Sequence, residues 1–515
     1  MRKLRGLWKI IFGRTTMLVF LMAVQFVVLF GGFAILNSQI LSINYIIGIM
    51  AVIILMYLVN TNQNSSFKLM WIIFILVVPV VGVTFYIYTR LQPGTRFISK
   101  RIEELMIEED EYLRPDTDTV RRISAESNKE IGLFRYLYEK GKYPVYDNAS
   151  VRYFPSGEDK YRELVHQLEA AREFIFLEYF IIDRGEMWDT VLEILKRKVR
   201  EGVEVRLIYD GTCTLSLLPK NYPNKIRKLG IKFKVFFPMK PFLTTHQNNR
   251  DHRKIVVIDG HMAFTGGINL ADEYINRKER FGHWKDTAVM VKGDAVKSFT
   301  MMFLQMWNIS VSGKENYGKY IKHDFAYDPG MRNGGYIAPY GDSPFDDEPV
   351  GEKVYLDILN TADNYVHIMT PYLILDEEVE NALIYASQRG VDVSLILPHI
   401  PDKKYAYFLA RTHYAELISQ GVKIYEYTPG FVHAKVFVSD DEKAVVGTIN
   451  LDFRSLFLHF ECAAYMWRNP VVNDIEADFQ KTLEKCRKMT LKNCREYSII
   501  GKICGKALRL IAPLM

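Results

Sequence analysis

The feature of this sequence that most restricts its fold is a short motif that occurs twice, about 180 residues apart. Each copy reads His-x-Lys, four further residues and Asp, and a glycine-containing segment that ends in Asn follows each copy. A single copy is weak support for any function, but two copies in the same context indicate an internal duplication. The residues that the copies share are His252, Lys254, Asp259 and Asn269 in the first, and His433, Lys435, Asp440 and Asn450 in the second.

The chain around each motif repeats a second pattern, in which helix, strand, helix and strand follow one another. Gly202 and Gly390 each follow a predicted helix and precede a buried strand, as a helix stop does. Alternating helices and strands predict an α/β fold with two tandem domains related by a pseudo-twofold duplication. We predict helices at residues 162–173, 187–201, 352–361 and 377–389, and strands at residues 174–182, 203–209, 365–370 and 391–397.

The spacing of the motif indicates its chemistry. On a strand, residues i and i+2 point to the same face, so each half offers one imidazole and one ammonium together. If the halves pack about a twofold axis, these groups and the two asparagines form an anion site with two titratable bases, as a phosphodiester site requires. Lysine is not a usual ligand of divalent metals, so we predict neither a metal nor another cofactor. Asp259 and Asp440 have the opposite parity, and among the candidate catalytic residues we interpret them as orienting or structural groups.

Three apolar stretches at the N-terminus, residues 17–36, 43–59 and 69–88, have nearly the length that spans a bilayer. The first is longer than the apolar region of a signal peptide, so we predict that it is an anchor and not a cleaved signal. Together the stretches predict a multi-pass membrane anchor of two to three transmembrane helices. We predict that the catalytic domains lie in the cytoplasm. The predicted domains are the anchor at 1–89, a polar connector at 90–145, a first domain at 146–315, a linker at 316–350, a second domain at 351–490 and a basic amphipathic tail at 491–515.

Charge and cysteine content narrow the choice of partners. A formal charge of +6 over 515 residues does not call for nucleic acid, and five cysteines without a CxxC pair indicate neither a zinc ribbon nor a disulfide framework. Between residues 485 and 509 there are eight Lys or Arg against one Glu. This segment predicts an interfacial helix attracted to anionic membrane lipid, and a terminal helix packed on the domain with a solvated basic face is the alternative.

These motifs resemble those of the phospholipase D superfamily, and more closely those of bacterial cardiolipin synthases. The resemblance is carried by residues 249–260, 264–274 and 284–287 in the first half, and by 370–372, 431–435, 447–455 and 460–461 in the second. Residues 71–88 also resemble the family's last N-terminal span, so the resemblance covers about residues 43–515. Two departures are a first apolar stretch additional to the usual two, and His459 where the family pattern has an asparagine.

The resemblance implies a metal-independent transfer of a phosphatidyl group between two phosphatidylglycerol molecules, giving cardiolipin and glycerol. It implies that His252 is the nucleophile that becomes a phosphohistidine and that His433 is the acid and base. Lys254, Lys435, Asn269 and Asn450 would bind the phosphate oxygens. A phospholipase D, a phosphatidylserine synthase, a nuclease and a non-catalytic membrane scaffold remain alternatives, and the oligomeric state is left open.

Overall fold

The computed structural model of the protein describes residues 41–90, 93–213, 217–219, 221–238, 248–310, 315–322, 331–346 and 348–514. The helices before the first sheet are α1 (Leu41–Val59), α2 (Ser65–Val77), α3 (Pro79–Arg90), α4 (Pro93–Asp110), α5 (Thr117–Glu126) and α6 (Asn128–Gly141).

The predicted transmembrane anchor is the part of the fold that must be corrected. Within the described ranges, no helix is both long enough and apolar enough to cross a membrane, so the prediction of transmembrane helices is wrong for these residues. The stretch predicted at residues 69–88 is divided between α2 and α3 because Pro79 lacks a backbone N–H and begins a new helix. At 13 and 12 residues these helices reach only about 20 Å each, against the roughly 30 Å of a bilayer core. The stretch predicted at residues 17–36 lies outside the described residues.

The polar segment after α3 forms the helices α4, α5 and α6. Glu130 on α6 forms an ion pair with Lys443 and accepts a hydrogen bond of 2.5 Å from the hydroxyl of Tyr465. All three side chains are buried, and the last two belong to the second half of the molecule. The predicted connector is therefore packed against the second sheet.

The first half is built on an eight-stranded sheet with the order β10-β1-β9-β7-β6-β2-β3-β4. Its central strand β2 is parallel to β3 and antiparallel to β6, and β6 begins at Lys254. The elements are β1 (Ala149–Phe154), α7 (Gly157–Ala170), β2 (Phe174–Tyr179), α8 (Glu186–Arg200), β3 (Glu204–Asp210), α9 (Tyr222–Lys228), β4 (Lys232–Phe236), β5 (Arg250–Asp251), β6 (Lys254–Ile258), β7 (Met262–Gly266), β8 (His283–Lys285), β9 (Ala288–Gly293), α10 (Val296–Asn308) and β10 (Arg332–Asn333).

The second half repeats this arrangement in a sheet with the order β11-β18-β17-β16-β12-β13-β14-β19. Its central strand β12 is parallel to β13 and antiparallel to β16, as β2 is to β3 and β6. The elements are β11 (Tyr336–Asp342), α11 (Val350–Thr361), β12 (Tyr365–Met369), α12 (Glu377–Gln388), β13 (Asp392–Pro398), α13 (Lys404–Ser419), β14 (Lys423–Tyr427), β15 (Gly430–Val432), β16 (Val436–Ser439), β17 (Lys443–Gly447), α14 (Phe453–Phe457), β18 (His459–Trp467), α15 (Val471–Leu483), β19 (Cys486–Lys488), α16 (Leu491–Glu496) and α17 (Ile499–Arg509).

The duplicated α/β architecture predicted from the sequence is confirmed. Gly202 and Gly390, which follow α8 and α12, have φ angles of +91° and +95°, a conformation that residues with a Cβ adopt at a cost. The segment predicted as a linker contributes a strand to each sheet, because β10 pairs with β1 and β11 pairs with β18.

Two short strands connect the halves. Strand β5 of the first half lies parallel to β18 of the second, and β15 of the second half lies parallel to β8 of the first. His252 and His433 follow these two strands directly. Each half therefore delivers its histidine to the edge of the other half.

Candidate active site

The two strands that cross between the halves fix the backbone beside each histidine. The backbone N–H of His252 donates to the carbonyl of Phe460 over 2.9 Å, and that of His433 donates to the carbonyl of Lys285 over 2.7 Å. In both cases the next residue after the acceptor is acidic, Glu461 in one half and Asp286 in the other. The crossing strands thus bring each imidazole to a carboxylate of the opposite half.

His252 forms a buried pair with Glu461. Its Nδ1 lies 2.9 Å from Oε1 and 3.0 Å from Oε2 of that carboxylate. Glu461 also accepts a hydrogen bond from the hydroxyl of Thr448. A carboxylate at Nδ1 selects the tautomer whose proton is on Nδ1, and the lone pair of Nε2 is then available to attack phosphorus.

His433 forms the corresponding pair with Asp286, and its Nδ1 lies 2.7 Å from Oδ2. The other oxygen of Asp286 accepts the backbone N–H of Thr287 over 2.8 Å. Gly267 leaves room for this carboxylate, because a Cβ added there would lie 2.1 Å from Oδ1 of Asp286. The second glycine of the Gly-Gly-x-Asn segment is therefore required by the position of Asp286.

Burial keeps both imidazoles neutral. It lowers the pKa of His252 to about 3, against the opposing effect of Glu461. Burial, together with the charges of Lys435 and Lys254, also holds the pKa of His433 well below its usual value. A neutral imidazole is the form that can act as a nucleophile or base.

The two carboxylates differ in their electrostatic settings. Burial raises the pKa of Asp286 to about 6, with Lys435 opposing the shift. Burial also acts to raise the pKa of Glu461, but the hydrogen bond from the neutral His252 and the charge of Lys254 outweigh it, and the pKa lies below the usual range. Glu461 is thus a firmly ionised but weakly basic partner of His252, whereas Asp286 is the more basic partner of His433.

Lys254 and Lys435 lie beside their histidines, as the motif predicts. The ammonium of Lys254 donates to the carbonyl of His252 over 2.5 Å, and that of Lys435 donates to the carbonyl of His433 and lies 3.0 Å from its Nδ1. Burial lowers the pKa of Lys254 to about 8 and that of Lys435 to about 7. The charge of Lys254 also acts on His433 and Asp286, so the groups of the two halves belong to one site.

The two asparagines are buried but have different partners. Asn269 accepts the N–H of Ile181 over 2.9 Å and donates to the hydroxyl of Tyr274 over 2.8 Å, and the ring of Tyr274 packs edge-on against His433. Among the described residues, Oδ1 of Asn450 has no hydrogen-bond partner. Asn269 therefore supports the wall of the site, while the amide of Asn450 has bonding capacity left for a ligand.

Asp259 and Asp440 do not join the histidines. Asp259 accepts three backbone N–H groups, those of Arg172, Glu173 and Phe174, over 2.7–2.8 Å. Asp440 does the same for residues 363–365 over 2.8–2.9 Å. Each lies at the far end of its strand, about 16 Å from the motif lysine. Both therefore secure the start of the central strand of their sheet, β2 or β12.

Sequence reasoning gave no role to Asp286 and Glu461. Both are fully buried, and Glu461 lies between Phe460 and the apolar residues 462–464 of β18. A lone acid inside an apolar strand needs a buried partner, and that signal was present in the sequence. The role of Arg253 was also missed: its buried guanidinium donates to the carbonyl of Glu461 over 3.1 Å and so links the two halves.

In the described ranges, one group of three side chains has its ligand atoms close enough together to bind a metal ion. It consists of His252, Glu461 and His459, the residue that departs from the expected pattern.

Comparison with known proteins agrees with this arrangement. A family model described as "Cardiolipin synthase, PLD-like domain" matches residues 164–307 and 355–483, and a phospholipase D-nuclease N-terminal model matches residues 48–90. A cardiolipin synthase of Alkalihalophilus pseudofirmus is 32% identical over 88% of this chain and 90% of that protein. An uncharacterized protein of Streptococcus mutans is 50% identical over 89% of this chain and 99% of its own length.

Among solved structures, the phosphatidylserine synthase of Haemophilus influenzae has a similar fold, with a TM-score of 0.55 at 13% identity over 75% of this chain and 100% of that one. The family models and the curated relatives confirm the resemblance and the enzyme class predicted from the sequence. The chain belongs to the cardiolipin synthase family of phospholipase D-like phosphatidyltransferases.

Proposed function

We propose that this cardiolipin synthase transfers a phosphatidyl group from one phosphatidylglycerol to another, with His252 as nucleophile and His433 as acid and base. The observation that supports this proposal most strongly is the pair of crossed contacts, His252 with Glu461 and His433 with Asp286. They leave two neutral imidazoles in one site, each with its Nε2 free of the carboxylate.

In the first step, Nε2 of His252 attacks phosphorus, and the bond from phosphorus to the glycerol headgroup oxygen breaks. His433, protonated at Nε2, gives that proton to the departing oxygen, so glycerol leaves and a phosphatidyl-histidine remains. Burial, together with the charges of Lys435 and Lys254, lowers the pKa of His433. A bound phosphodiester anion opposes the effect of the two lysine charges, so the substrate itself favours the protonated acid.

In the second step, His433 is neutral and takes the proton from a glycerol hydroxyl of a second phosphatidylglycerol. The alkoxide oxygen attacks phosphorus, the bond from phosphorus to Nε2 of His252 breaks, and cardiolipin leaves. One phosphodiester replaces another, so no nucleotide is consumed. Glu461 stabilises the positive charge that the imidazole of His252 carries at both displacements.

The charge of the transferred group needs donors that are already in position. Lys254 and Lys435 each have ammonium protons beyond those that bind the backbone carbonyls. The amide of Asn450, whose oxygen has no partner within the described residues, can turn to present its NH2 group. Asn269 has one amide proton beyond the one that Tyr274 accepts.

The substrate must come from a lipid surface, and the C-terminal helix α17 is suited to contact one. Its Gly501 and Gly505 are buried, and Gly505 approaches the backbone of Phe408 on α13 closely. The opposite side exposes Ile500 and Ile503, at 74% and 64%, on a helix that also bears Lys502, Lys506 and Arg509. Apolar side chains flanked by lysines bind anionic membrane surfaces, so we assign α17 to lipid contact.

The experiment that tests the histidine roles is acid-free trapping of the intermediate. Turnover of phosphatidylglycerol labelled in its phosphate is quenched in alkaline denaturant, and the labelled peptide is identified. Label is expected on the peptide containing His252 in the wild type and not in His252→Asn. Label on the His433 peptide would reverse the assignment, and label on neither during efficient turnover would rule out the covalent intermediate.

The acceptor is tested separately by lipid chromatography. Purified enzyme is given phosphatidylglycerol alone and then with added phosphatidylethanolamine or serine. Cardiolipin and glycerol from phosphatidylglycerol alone are expected. Phosphatidate as the main product would instead identify a hydrolase, and phosphatidylserine a serine transferase.

A further inference from the structure

His459 is a buried histidine that the transfer reaction does not use. Its side chain is 10% exposed, and its Nδ1 lies 3.8 Å from Oε1 of Glu461, beyond hydrogen-bond distance. Neither ring nitrogen has a hydrogen-bond partner in the part of the chain that the structure describes. A buried imidazole without partners destabilises the fold unless something binds it.

The side chains next to His459 are those of His252 and Glu461, and both residue types commonly bind metal ions. His459 and Glu461 are two residues apart on strand β18, so they point to the same face, and the parallel pairing of β5 with β18 places His252 beside them. The ligand atoms of these three side chains all lie within 4.8 Å of one another. The ring of His459 lies 5.6 Å from that of His252, centroid to centroid.

Two imidazoles and one carboxylate with open positions form a usual ligand set for divalent transition metals. Ligand atoms on one such ion lie about 3–3.5 Å apart, given metal–ligand distances of about 2.0–2.2 Å. The group must therefore contract by about 1 Å, and His459 has no hydrogen bond to lose in moving.

The other half of the site lacks this group, although its geometry is otherwise equivalent. Trp284 lies two residues before Asp286, as His459 lies two residues before Glu461. The Trp284 ring packs 5.3 Å from that of His433 at 45°, much as His459 packs against His252 at 42°. Indole offers no metal ligand, so among the described residues only the His252 side of the site has three ligands.

We propose that His252, His459 and Glu461 bind a divalent transition-metal ion of the Zn²⁺ class and that this binding switches the enzyme off. The inhibition, though not the binding, depends on the proposed role of His252 as nucleophile. With the metal on Nδ1 of His252, the ring proton moves to Nε2, the atom that would attack phosphorus. The metal also removes Glu461 as the partner of the imidazole, so the first step is blocked.

The binding test uses the full chain, stripped of metal with EDTA and then titrated with Co²⁺ and Zn²⁺. The wild type is expected to show the visible absorption bands of bound Co²⁺ and to bind one Zn²⁺ by calorimetry. The variant His459→Asn introduces the asparagine that the family pattern has at this position. It should bind Zn²⁺ at least tenfold more weakly. His399→Asn is the matched control, because His399 contacts Glu426 elsewhere in the second half, and it should bind as the wild type does.

The activity test compares the same proteins with EDTA and with added Zn²⁺. With EDTA, the wild type, His459→Asn and His399→Asn should turn over equally. With Zn²⁺, only His459→Asn should remain active. His459→Gln serves as a second variant if thermal unfolding shows that His459→Asn is destabilised.

Equal Zn²⁺ affinity in the wild type and both His459 variants would overturn the site, and so would the absence of Co²⁺ bands in the wild type. Binding without inhibition would overturn the regulation. If the EDTA-treated wild type failed to make cardiolipin, the proposed function would fail, whereas the Co²⁺ result would still report on the site.

Discussion

The two halves of the active site share one design but differ around each histidine. Both pair the Nδ1 of a histidine with a carboxylate from the other half. On one side the carboxylate is Glu461, which accepts the hydroxyl of Thr448. On the other it is Asp286, which lies against Gly267. The duplication therefore kept the histidine–carboxylate pair and changed what supports it.

The two carboxylates differ in pKa, and this difference suits the different tasks of the two histidines. The pKa of Glu461 is held low, so its negative charge is permanent and can stabilise an imidazole that bonds covalently to phosphorus. Burial raises the pKa of Asp286 to about 6, so Asp286 is the more basic carboxylate and attracts a proton on His433 more strongly. A more basic carboxylate at Nδ1 raises the proton affinity of His433, which must be protonated to act as the acid in the first step.

Removal of either imidazole should produce the largest effect. His252→Ala and His433→Ala should each lower kcat by about 10⁴-fold, because each step then lacks its nucleophile or its acid and base. Steady-state cardiolipin synthesis measures this loss, with thermal unfolding as the folding control. An active single variant would show that the halves do not share one site.

Removal of the two carboxylate charges should affect the two sides of the site to different extents. Glu461→Gln should lower kcat by about 10²–10³-fold, and Asp286→Asn by about tenfold, because Glu461 stabilises the positive charge on His252 at both displacements, whereas Asp286 supports a proton transfer. Both amides keep the side-chain volume and can still hydrogen-bond Nδ1. Equal losses, or a larger loss for Asp286→Asn, would contradict the assigned division of labour.

The lysines should set the alkaline side of the pH profile. Their pKa values, lowered to about 7 for Lys435 and about 8 for Lys254, mean that the ammonium forms exist below these values and are lost above them. The value of kcat/KM should therefore fall by up to about tenfold per pH unit above this range.

Lys435→Arg sharpens this test, since a guanidinium keeps its charge. The variant should be slower, but its alkaline decline should begin near the pKa of Lys254, whereas Lys254→Arg should leave the first decline in place. An unchanged profile in Lys435→Arg would assign the decline to another group.

The aspartates of the motif should affect folding rather than catalysis. Asp259→Ala and Asp440→Ala each leave three backbone N–H groups without their acceptor and should lower the free energy of unfolding by about 2–4 kcal/mol. Folded enzyme should keep kcat within about twofold. The asparagine variants, which tolerate the positive φ at these positions, should lose less stability. Loss of kcat without loss of stability would return these residues to the catalytic group.

The repeated pattern of helices and strands predicted most of the fold, because each helix or strand is indicated by residues close together in the sequence. The helix predicted at 187–201 is α8 (Glu186–Arg200), and the strand predicted at 203–209 is β3 (Glu204–Asp210). The stretch at residues 69–88 was misjudged as one spanning helix because its apolar content was read without the helix break at Pro79. The edge strand β11 was missed because its pairing with β18 is a long-range contact.

For the site, residue type and spacing predicted that His252, Lys254 and their second-half counterparts lie together. The strand parity behind that prediction does not apply, because His252 precedes β6 and both His433 and Lys435 precede β16. The partners of the histidines could not be derived in that way. Glu461 is 209 residues from His252 in sequence, and only the crossing of β5 onto β18 brings them together. Asp286 and Glu461 occupy equivalent positions, because each contacts the Nδ1 of a histidine from the other half. Only the structure shows this equivalence.

The crossed contacts also have a consequence for the order in which the protein is made. Synthesis proceeds from the N-terminus, and domains fold as they emerge. A ribosome-bound chain that ends before residue 433 contains His252 and Asp286, but neither has its partner, and Glu461 is translated later still. A nascent chain that meets the membrane early is therefore unable to cut the lipids around it, and the enzyme becomes reactive only when nearly all of it has been translated.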